Sequence, residues 1–151
     1  MKLDYEMTYR VRVRGPLAAT AGAPLGERQY WEMAEGELTG ARINARFAMP
    51  GGDWYRSGAD GLGRPDVRVQ FQTDDGEVVL LHYTGIVQST EAFKHVAEHG
   101  GETRFDDQYV RMAMFFETGA AHYAWLNQSL FAAEGRLIER DRLEYRVYRI
   151  A

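Results

Sequence analysis

The feature that most constrains this chain is a strict alternation of apolar and polar residues from Leu3 to Val13. Every odd position in this segment is apolar, and every even position between them is polar. Successive side chains of a β-strand point to opposite faces, so the pattern predicts a strand with one dry face and one solvated face. Because the alternation returns over 41–49 and 67–72, we expect an all-β chain in which each strand buries one face.

Glycine and proline clusters mark the predicted boundaries in the first half of the chain. The first strand ends at Gly15-Pro16, and a Gly/Ala-rich loop is predicted over 18–26. A second strand is predicted over 27–35, with a turn bracketed by Gly36 and Gly40. The sequence Pro50-Gly-Gly-Asp predicts a break after the third strand, which would leave Asp53 in a loop at the strand end.

The second half is predicted to hold more strands and one short helix. Asp74-Asp75-Gly76 is typical of a hairpin turn between strands over 67–72 and 78–88. Ser89 or Thr90 can cap a helix that ends at Gly100. The remaining predictions are a strand over 109–118, a helical turn over 119–125, a strand over 126–133, and a turn at Gly135 into a strand over 136–150.

These segments together predict one domain over 1–151, since the chain has 151 residues. About eight to ten strands with short connections favour a closed, mostly antiparallel β-barrel, with the helix covering one end or side. A barrel of about eight strands has room for one small ligand.

Composition excludes several classes of function. The formal net charge is −4, which argues against a nucleic-acid partner. No secretory signal and no apolar run of about 18 residues is visible, so a cytoplasmic protein without a membrane partner is predicted. Cys is 0, which excludes a cysteine nucleophile and a thiolate metal site. His95 and His99 share a helix face with Glu91, Lys94 and Glu98, so we expect a solvated face there and no metal site.

The densest set of polar groups among aromatic residues lies over 111–127, where Arg111, Glu117, Tyr123 and Asn127 are interleaved with Phe115, Phe116 and Trp125. Desolvation by aromatic neighbours would raise the pKa of Glu117 and suit it to acid–base work. An ion pair would instead keep Glu117 ionised and structural. Arg111 and Glu117 point to one face but lie about 20 Å apart along a strand, so each needs a partner from a neighbouring strand.

A second set surrounds Asp53, which stands beside Trp54 at the predicted strand end. Strand-end loops form the mouth of a barrel, where ligands enter. The alternative is an aspartate that hydrogen-bonds its own backbone in a turn. His82 and Tyr83, on a central strand, are candidates to add polar groups to the lumen.

Several motifs of the chain resemble the domain of unknown function 3237 family. They are Gly26-Glu-Arg, Glu35-Gly-Glu-Leu-Thr-Gly, Met49-Pro-Gly-Gly-Asp-Trp, Thr73-Asp-Asp-Gly, Phe116-Glu-Thr-Gly and Tyr123-Ala-Trp-Leu-Asn. The chain departs from the family pattern at Phe115, where the family usually has proline. It also departs at Glu35-Gly36-Glu37-Leu38, where the family usually has two glycines ahead of its first Phe-containing turn. The resemblance implies a β-barrel of lipocalin-like size and leaves the reaction open.

The residues in these motifs overlap those chosen on chemical grounds, and they predict a cofactor-independent acid–base enzyme of isomerase, cyclase, dehydratase or lyase type. The expected substrate is a small apolar carbonyl or polyketide-like compound. The expected catalytic residues are Asp53, Glu117, Arg111, Tyr123 and Tyr83, and the expected ligand-binding residues are Arg28, Trp54, His82, Phe115, Trp125 and Asn127.

Two other functions stay open at this point. One is a non-catalytic barrel that carries or senses a small ligand. The other is a homo-oligomeric interaction domain, in which solvated strand faces with Arg10, Arg12, Arg140, Arg142 and Glu144 pair across a two-fold axis.

Overall fold

The structure is a computed structural model that describes residues 1–17 and 20–151. The strands are β1 (Leu3–Arg14), β2 (Glu27–Gly40), β3 (Asn44–Ser57), β4 (Gly63–Arg64), β5 (Asp66–Thr73), β6 (Val78–Gln88), β7 (Tyr109–Glu117), β8 (Leu130–Glu139) and β9 (Arg142–Ile150). A helix, α1, spans Glu91–His99, and a 3-10 helix spans Ala121–Leu126. The loop predicted over 18–26 includes residues 18 and 19, which lie outside the described residues.

Eight of these strands close into an antiparallel barrel, as the sequence predicts. Around the barrel the order is β1, β2, β3, β5, β6, β7, β8 and β9, and β9 pairs with β1 to complete the ring. The short β4 bridges the edge between β3 and β6. Closure leaves no long unpaired edge among these eight strands, so their inward faces share one core.

The alternation in β1 places Met7, Tyr9 and Val11 in that core. Leu3 and Tyr5 have the same parity, but they are 57% and 55% exposed. The pairing of β1 with β9 shifts register between Tyr5 and Met7. Such a bulge bends a strand and re-aims its side chains, so the predicted dry face holds only from Met7 onward.

The predicted break at Pro50-Gly-Gly-Asp is wrong, because β3 continues through it to Ser57. A Cβ on Gly51 would lie 2.4 Å from the carbonyl oxygen of Arg68, and a Cβ on Gly52 would lie 2.6 Å from the ring of Tyr30. The two glycines therefore permit close packing of neighbouring groups and do not form a turn. Asp53 consequently lies inside a strand and not in a loop.

The turn predicted between Gly36 and Gly40 and the turn predicted at Gly135 are wrong for the same reason. Gly36 lies inside β2, where a Cβ would meet the ring of Phe47 at 2.4 Å. Gly135 lies inside β8, where a Cβ would meet the ring of Tyr145 at 2.6 Å. The chain instead turns at residues 140–141, between β8 and β9.

The two ends of the barrel are covered differently. At one end, α1 begins after Thr90, whose Oγ1 accepts a hydrogen bond from the backbone N–H of Phe93 at 3.4 Å, and it stops before Gly100, as predicted. At the other end, the 3-10 helix packs Leu126 into the core, and β8 begins only at Leu130. Within the described ranges, no helix is both long enough and apolar enough to span a bilayer.

Candidate functional site

A cavity of about 330 Å³ occupies the interior of the barrel beneath α1, and we call it the lumen cavity. It is open toward the ends of β1, β3, β6 and β8 and the starts of β2, β5 and β9. Most of its walls are apolar or aromatic, which is typical of small-molecule sites. Its lining includes Trp31, Asp53, Tyr55, Tyr83, Phe93, Arg140 and Tyr145.

Asp53 is the acidic residue of this lining. It points inward from β3 and is only 7% exposed. One carboxylate oxygen, Oδ1, accepts a hydrogen bond from the backbone N–H of Asp66 at 2.9 Å. No Lys, Arg or His of the described chain forms an ion pair with it. Burial raises the pKa of Asp53 to about 7, against the opposing effect of the Asp66 hydrogen bond. The carboxyl group is therefore poised to take up or release a proton near neutral pH.

Phenol groups surround this carboxylate. Burial raises the pKa of Tyr55, Tyr83 and Tyr145, and the negative charge of Asp53 adds to each shift. All three hydroxyls consequently stay protonated near neutral pH and can donate hydrogen bonds to a ligand. Tyr9 packs beneath them, with its ring stacked on Tyr145 at a centroid separation of 5.6 Å. The buried Tyr9 hydroxyl has no hydrogen-bond partner in the described part of the chain.

The remaining walls determine what shape and polarity the cavity accepts. Trp31 donates its indole N–H to Gln29 Oε1 at 3.2 Å, which orients the ring at the cavity wall. Phe93 and Ala97 of α1 close the cavity from above. Arg140, on the turn between β8 and β9, contributes the cation at the rim. The lumen cavity is therefore a mostly apolar slot with one carboxylate inside.

Of the predicted catalytic residues, Asp53 and Tyr83 line this cavity together. Glu117 and Arg111 do not, because odd-numbered residues of β7 point away from the barrel interior. Arg111 lies 3.7 Å from Glu134 of β8, so its partner does come from a neighbouring strand. Glu117 is exposed and has no ion-pair partner in the described ranges.

Several predicted ligand-binding residues also lie on the outer surface. His82 stacks near Phe115 at a centroid separation of 6.4 Å, and its Nε2 lies 3.1 Å from Asp66 Oδ1. Trp54 is 48% exposed and packs edge-on against Tyr30. Arg28 points outward from β2 in the same region. The outward parity of these positions separates them from the lumen cavity.

Tyr123, Trp125 and Asn127 lie at the opposite end of the barrel from α1. The Tyr123 hydroxyl donates to Asp75 Oδ1 at 2.8 Å. Asn127 bonds the backbone of Thr118 twice, at 2.9 and 2.8 Å. The guanidinium of Arg42 lies over the Trp125 ring at 3.6 Å. These contacts fasten the 3-10 helix to the barrel, and none of the three residues reaches the lumen cavity.

The lumen cavity contains functional candidates that the sequence reasoning did not select, above all Trp31, Tyr55 and Tyr145. The alternation of inward and outward side chains along each strand was the signal that could have identified them. Tyr55 stands two residues after Asp53, so it shares the face of that carboxylate. Tyr145 belongs to the dry face of β9, and Trp31 faces inward from β2. Recognising Tyr55 required knowing that β3 runs on past its two glycines.

His95 and His99 stack on α1 with ring centroids 4.6 Å apart. Across residues 1–17 and 20–151, no group of three or more His, Cys, Asp or Glu side chains is arranged to hold a metal ion.

Comparison with known proteins places the chain in a family. The model of the proteins of unknown function DUF3237 matches residues 1–150. The chain belongs to this family. Because the match covers nearly the whole length, it confirms the resemblance seen in the motifs. A UPF0311 protein of Rhodopseudomonas palustris is 27% identical over 131 residues, which cover 87% of this chain and 85% of that protein.

Solved structures agree with the DUF3237 assignment. The crystal structure of the Rhodopseudomonas palustris protein matches with a TM-score of 0.87 at 26% identity, covering 99% of this chain and 97% of that one. A β-barrel-like protein of Acinetobacter baumannii matches with a TM-score of 0.80 at 25% identity, covering 99% and 96%. A protein described as an enzyme from Penicillium herquei has a TM-score of 0.67 at 19% identity, covering 100% and 96%. At 19% identity, the similarity to the Penicillium herquei protein shows only a shared fold.

Proposed function

We propose that this DUF3237 protein is a cofactor-independent acid–base enzyme of isomerase, cyclase, dehydratase or lyase type. Its substrate would be a small, largely apolar carbonyl or polyketide-like compound held in the lumen cavity. The observation that carries the proposal is the buried carboxylate of Asp53, with a pKa of about 7 and several phenols around it. A titratable group perturbed in this way inside an apolar cavity is a physical signature of a reactive site.

The chemistry begins with proton transfer from carbon. Ionised Asp53 removes a proton from the carbon next to the substrate carbonyl. The C–H electron pair forms a C=C bond, and the C=O π pair moves to the oxygen, which gives an enolate. The Tyr83 hydroxyl donates a hydrogen bond to that oxygen and stabilises the negative charge. Protonated Asp53 then returns the proton. Return to the same carbon gives hydrogen exchange, whereas return to the enolate oxygen or to another carbon of a conjugated enolate gives an isomer. For cyclisation, the enolate carbon instead attacks a second carbonyl carbon of the same molecule. The π pair of that carbonyl moves to its oxygen as an alkoxide, which takes the proton from Asp53.

The walls of the cavity support this role. Trp31, Phe93 and Tyr145 exclude water from the carboxylate, which keeps its pKa raised. A volume of about 330 Å³ lies in the usual range for small-molecule sites. The enzyme from Penicillium herquei supports only the point that this barrel fold can belong to an enzyme.

Hydrogen exchange tests the proton-transfer step by itself, whichever full reaction follows it. Small phenolic and β-dicarbonyl compounds are screened for binding by thermal shift, and exchange of the acidic C–H of bound compounds into D₂O is followed by NMR. We expect catalysed exchange that Asp53→Asn lowers by about 10²–10⁴-fold. Glu117→Gln, a carboxyl change on the outer surface, is the matched control and keeps the wild-type rate. A folded Asp53→Asn protein that exchanges at the wild-type rate would contradict the proposal.

A second candidate function is a non-catalytic barrel that binds a small apolar ligand. The mostly apolar lining of the lumen cavity favours it. In the same experiment, compounds that bind tightly and show no catalysed exchange would identify the carrier. Filling the cavity with Ala97→Trp would then abolish binding.

A further inference from the structure

A groove lies on the outside of the barrel, and several arginines line it. Its volume is about 440 Å³, and it runs along the edge where β4 bridges β3 and β6. We call it the β4 groove and define it by Arg28, Trp54, Arg56, Arg64, Asp66 and Ile86. The barrel wall separates it from the lumen cavity.

Three arginines of the β4 groove are cross-strand neighbours. Arg28 of β2 lies opposite Arg56 of β3, and Arg56 lies opposite Arg64 of β4. Like charges in directly opposite positions of a sheet repel each other and destabilise it. A sequence that keeps three cations in one row needs a compensating negative charge nearby.

The protein supplies only part of that charge. Arg64 is paired with Asp60. Arg28 and Arg56 have no carboxylate partner in the described part of the chain, and the buried Nε of Arg56 has no hydrogen-bond partner. Elsewhere on the outer surface, arginines are commonly ion-paired, as Arg12 is with Asp141 at 2.6 Å and Arg149 is with Glu6 at 3.0 Å. The arrangement leaves the positive charges of Arg28 and Arg56 without a carboxylate partner in the described part of the chain.

Asp66 also lines the β4 groove, but it is already engaged. Its Oδ1 lies 3.1 Å from His82 Nε2, on β6. No other carboxylate belongs to the lining. The groove therefore remains suited to an anion on the side of β2 and β3.

An aromatic surface adjoins the arginines. Trp54 stands two residues before Arg56 on the same outer face, which places the two about 6–7 Å apart along β3. The Trp54 ring is held edge-on by Tyr30, with centroids 5.3 Å apart, and stays 48% exposed. Ile86 adds apolar surface from β6. A flat ring can pack there while a group attached to it reaches the arginines.

We infer that the β4 groove binds an aromatic phosphate monoester, with the phosphate on Arg28 and Arg56 and the ring against Trp54. Two guanidinium groups without carboxylate partners match the charge of a phosphate dianion. Arginine also suits phosphate because its planar fork donates two parallel hydrogen bonds. The inference is independent of the proposed reaction, since the groove and the lumen cavity lie on opposite sides of the barrel wall.

Isothermal titration calorimetry with four probes tests this inference: phenyl phosphate, inorganic phosphate, benzoate and phenol. We expect phenyl phosphate to bind more tightly than inorganic phosphate, and benzoate and phenol to bind at least tenfold more weakly than phenyl phosphate. Binding should weaken as salt is raised, because the contacts are ionic. Benzoate binding equal to or tighter than phenyl phosphate, or no binding of either phosphate, would overturn the inference.

Variants locate the binding. Arg56→Gln should weaken phenyl phosphate at least tenfold, and Trp54→Leu should remove the advantage of phenyl phosphate over inorganic phosphate. Arg46→Gln is the matched control, because Arg46 also lacks an ion-pair partner in the described ranges but lies outside the groove. The affinity of this variant for phenyl phosphate should equal that of the wild type. Unchanged affinity in Arg56→Gln, or an equal loss in Arg46→Gln, would contradict the assignment.

Discussion

Asp53 and Asp75 are both aspartates near β5, but they lie at opposite ends of the barrel and have opposite acid–base character. Asp53 is buried in the lumen cavity, and its pKa is raised to about 7. Asp75 lies on the hairpin between β5 and β6 and accepts hydrogen bonds from Thr73, Tyr123 and His122. These hydrogen bonds, with that of Thr73 the largest contribution, lower the pKa of Asp75 to about 2.

The difference shows how one residue type serves two purposes. At the α1 end, desolvation without a counter-charge leaves a carboxyl group that changes protonation near neutral pH. At the end with the 3-10 helix, satisfied hydrogen bonds keep a carboxylate permanently ionised and fasten the hairpin to the helix. Reactivity and structural support thus depend on the surroundings of the carboxyl group and not on its identity.

The pH dependence of stability is the prediction with the largest effect. The pKa of Asp53 is about 7 when folded and near 3.8 when unfolded, so folding favours the protonated form. The resulting stabilisation is complete below about pH 4 and is lost as the pH rises through 7. We expect Asp53 to lower the free energy of unfolding by roughly 2–3 kcal/mol between pH 5 and pH 8. Urea unfolding of the wild type and Asp53→Asn at both pH values measures this difference.

Asp75→Asn is the control for that experiment, and the expected sign is reversed. The lowered pKa of Asp75 contributes stability above about pH 4, which is lost as the pH falls toward 2. Asp75→Asn should therefore flatten the acid side of the stability curve and leave the slope between pH 5 and pH 8 unchanged. If Asp75→Asn and not Asp53→Asn removed that slope, the comparison of the two aspartates would fail.

Removal of one hydroxyl from the 3-10 helix should have an intermediate effect. Tyr123→Phe deletes the hydrogen bond to ionised Asp75, and such a bond contributes about 1–2 kcal/mol. Urea unfolding at pH 7 measures the loss. The matched control is Tyr5→Phe, whose hydroxyl lies 2.7 Å from Thr8 Oγ1 at an exposed position; we expect about 0.5 kcal/mol or less there. Equal losses in the two variants would mean that the hydrogen bond from Tyr123 to Asp75 contributes no more stability than an exposed hydrogen bond.

Loss of an ion pair on the outer face of β7 should have the smallest effect on stability. Arg111 lies 3.7 Å from Glu134, and its side chain is 39% exposed. Ion pairs of this kind contribute about 0–1 kcal/mol, so Arg111→Gln should lie within that range, with no change in lumen binding measured by thermal shift. A larger loss of stability, or a loss of lumen binding, would show that β7 supports the cavity.

Much of the fold follows from the local pattern. The alternation in β1, β5 and β6, the turn at Asp74-Asp75-Gly76 and the caps of α1 each involve residues close in sequence, so the sequence predicts them directly. That local reasoning fails at four glycines, namely Gly36, Gly51, Gly52 and Gly135. Each lies within a strand, and the groups that require its small size come from other strands.

The candidate site was only partly predictable for the same reason. Asp53 and Tyr83 stand out in the sequence and do meet in the lumen cavity. Glu117 and Arg111 also stand out, because aromatic residues surround them along the chain, but those neighbours point to the opposite face of β7 or out into solvent. Proximity along a strand says little about proximity in space, since successive side chains lie on opposite sides of the barrel wall.

By itself, the sequence determined the all-β class, the helix α1 and the family, because periodicity, capping and motifs are local properties. Only the tertiary structure decided which face of each strand points inward and which inward residues meet. That decision depends on register and barrel closure, which bring β1, β3, β6 and β9 around one carboxylate. The raised pKa of Asp53 is a consequence of this burial, and so it belongs to the fold and not to the residue.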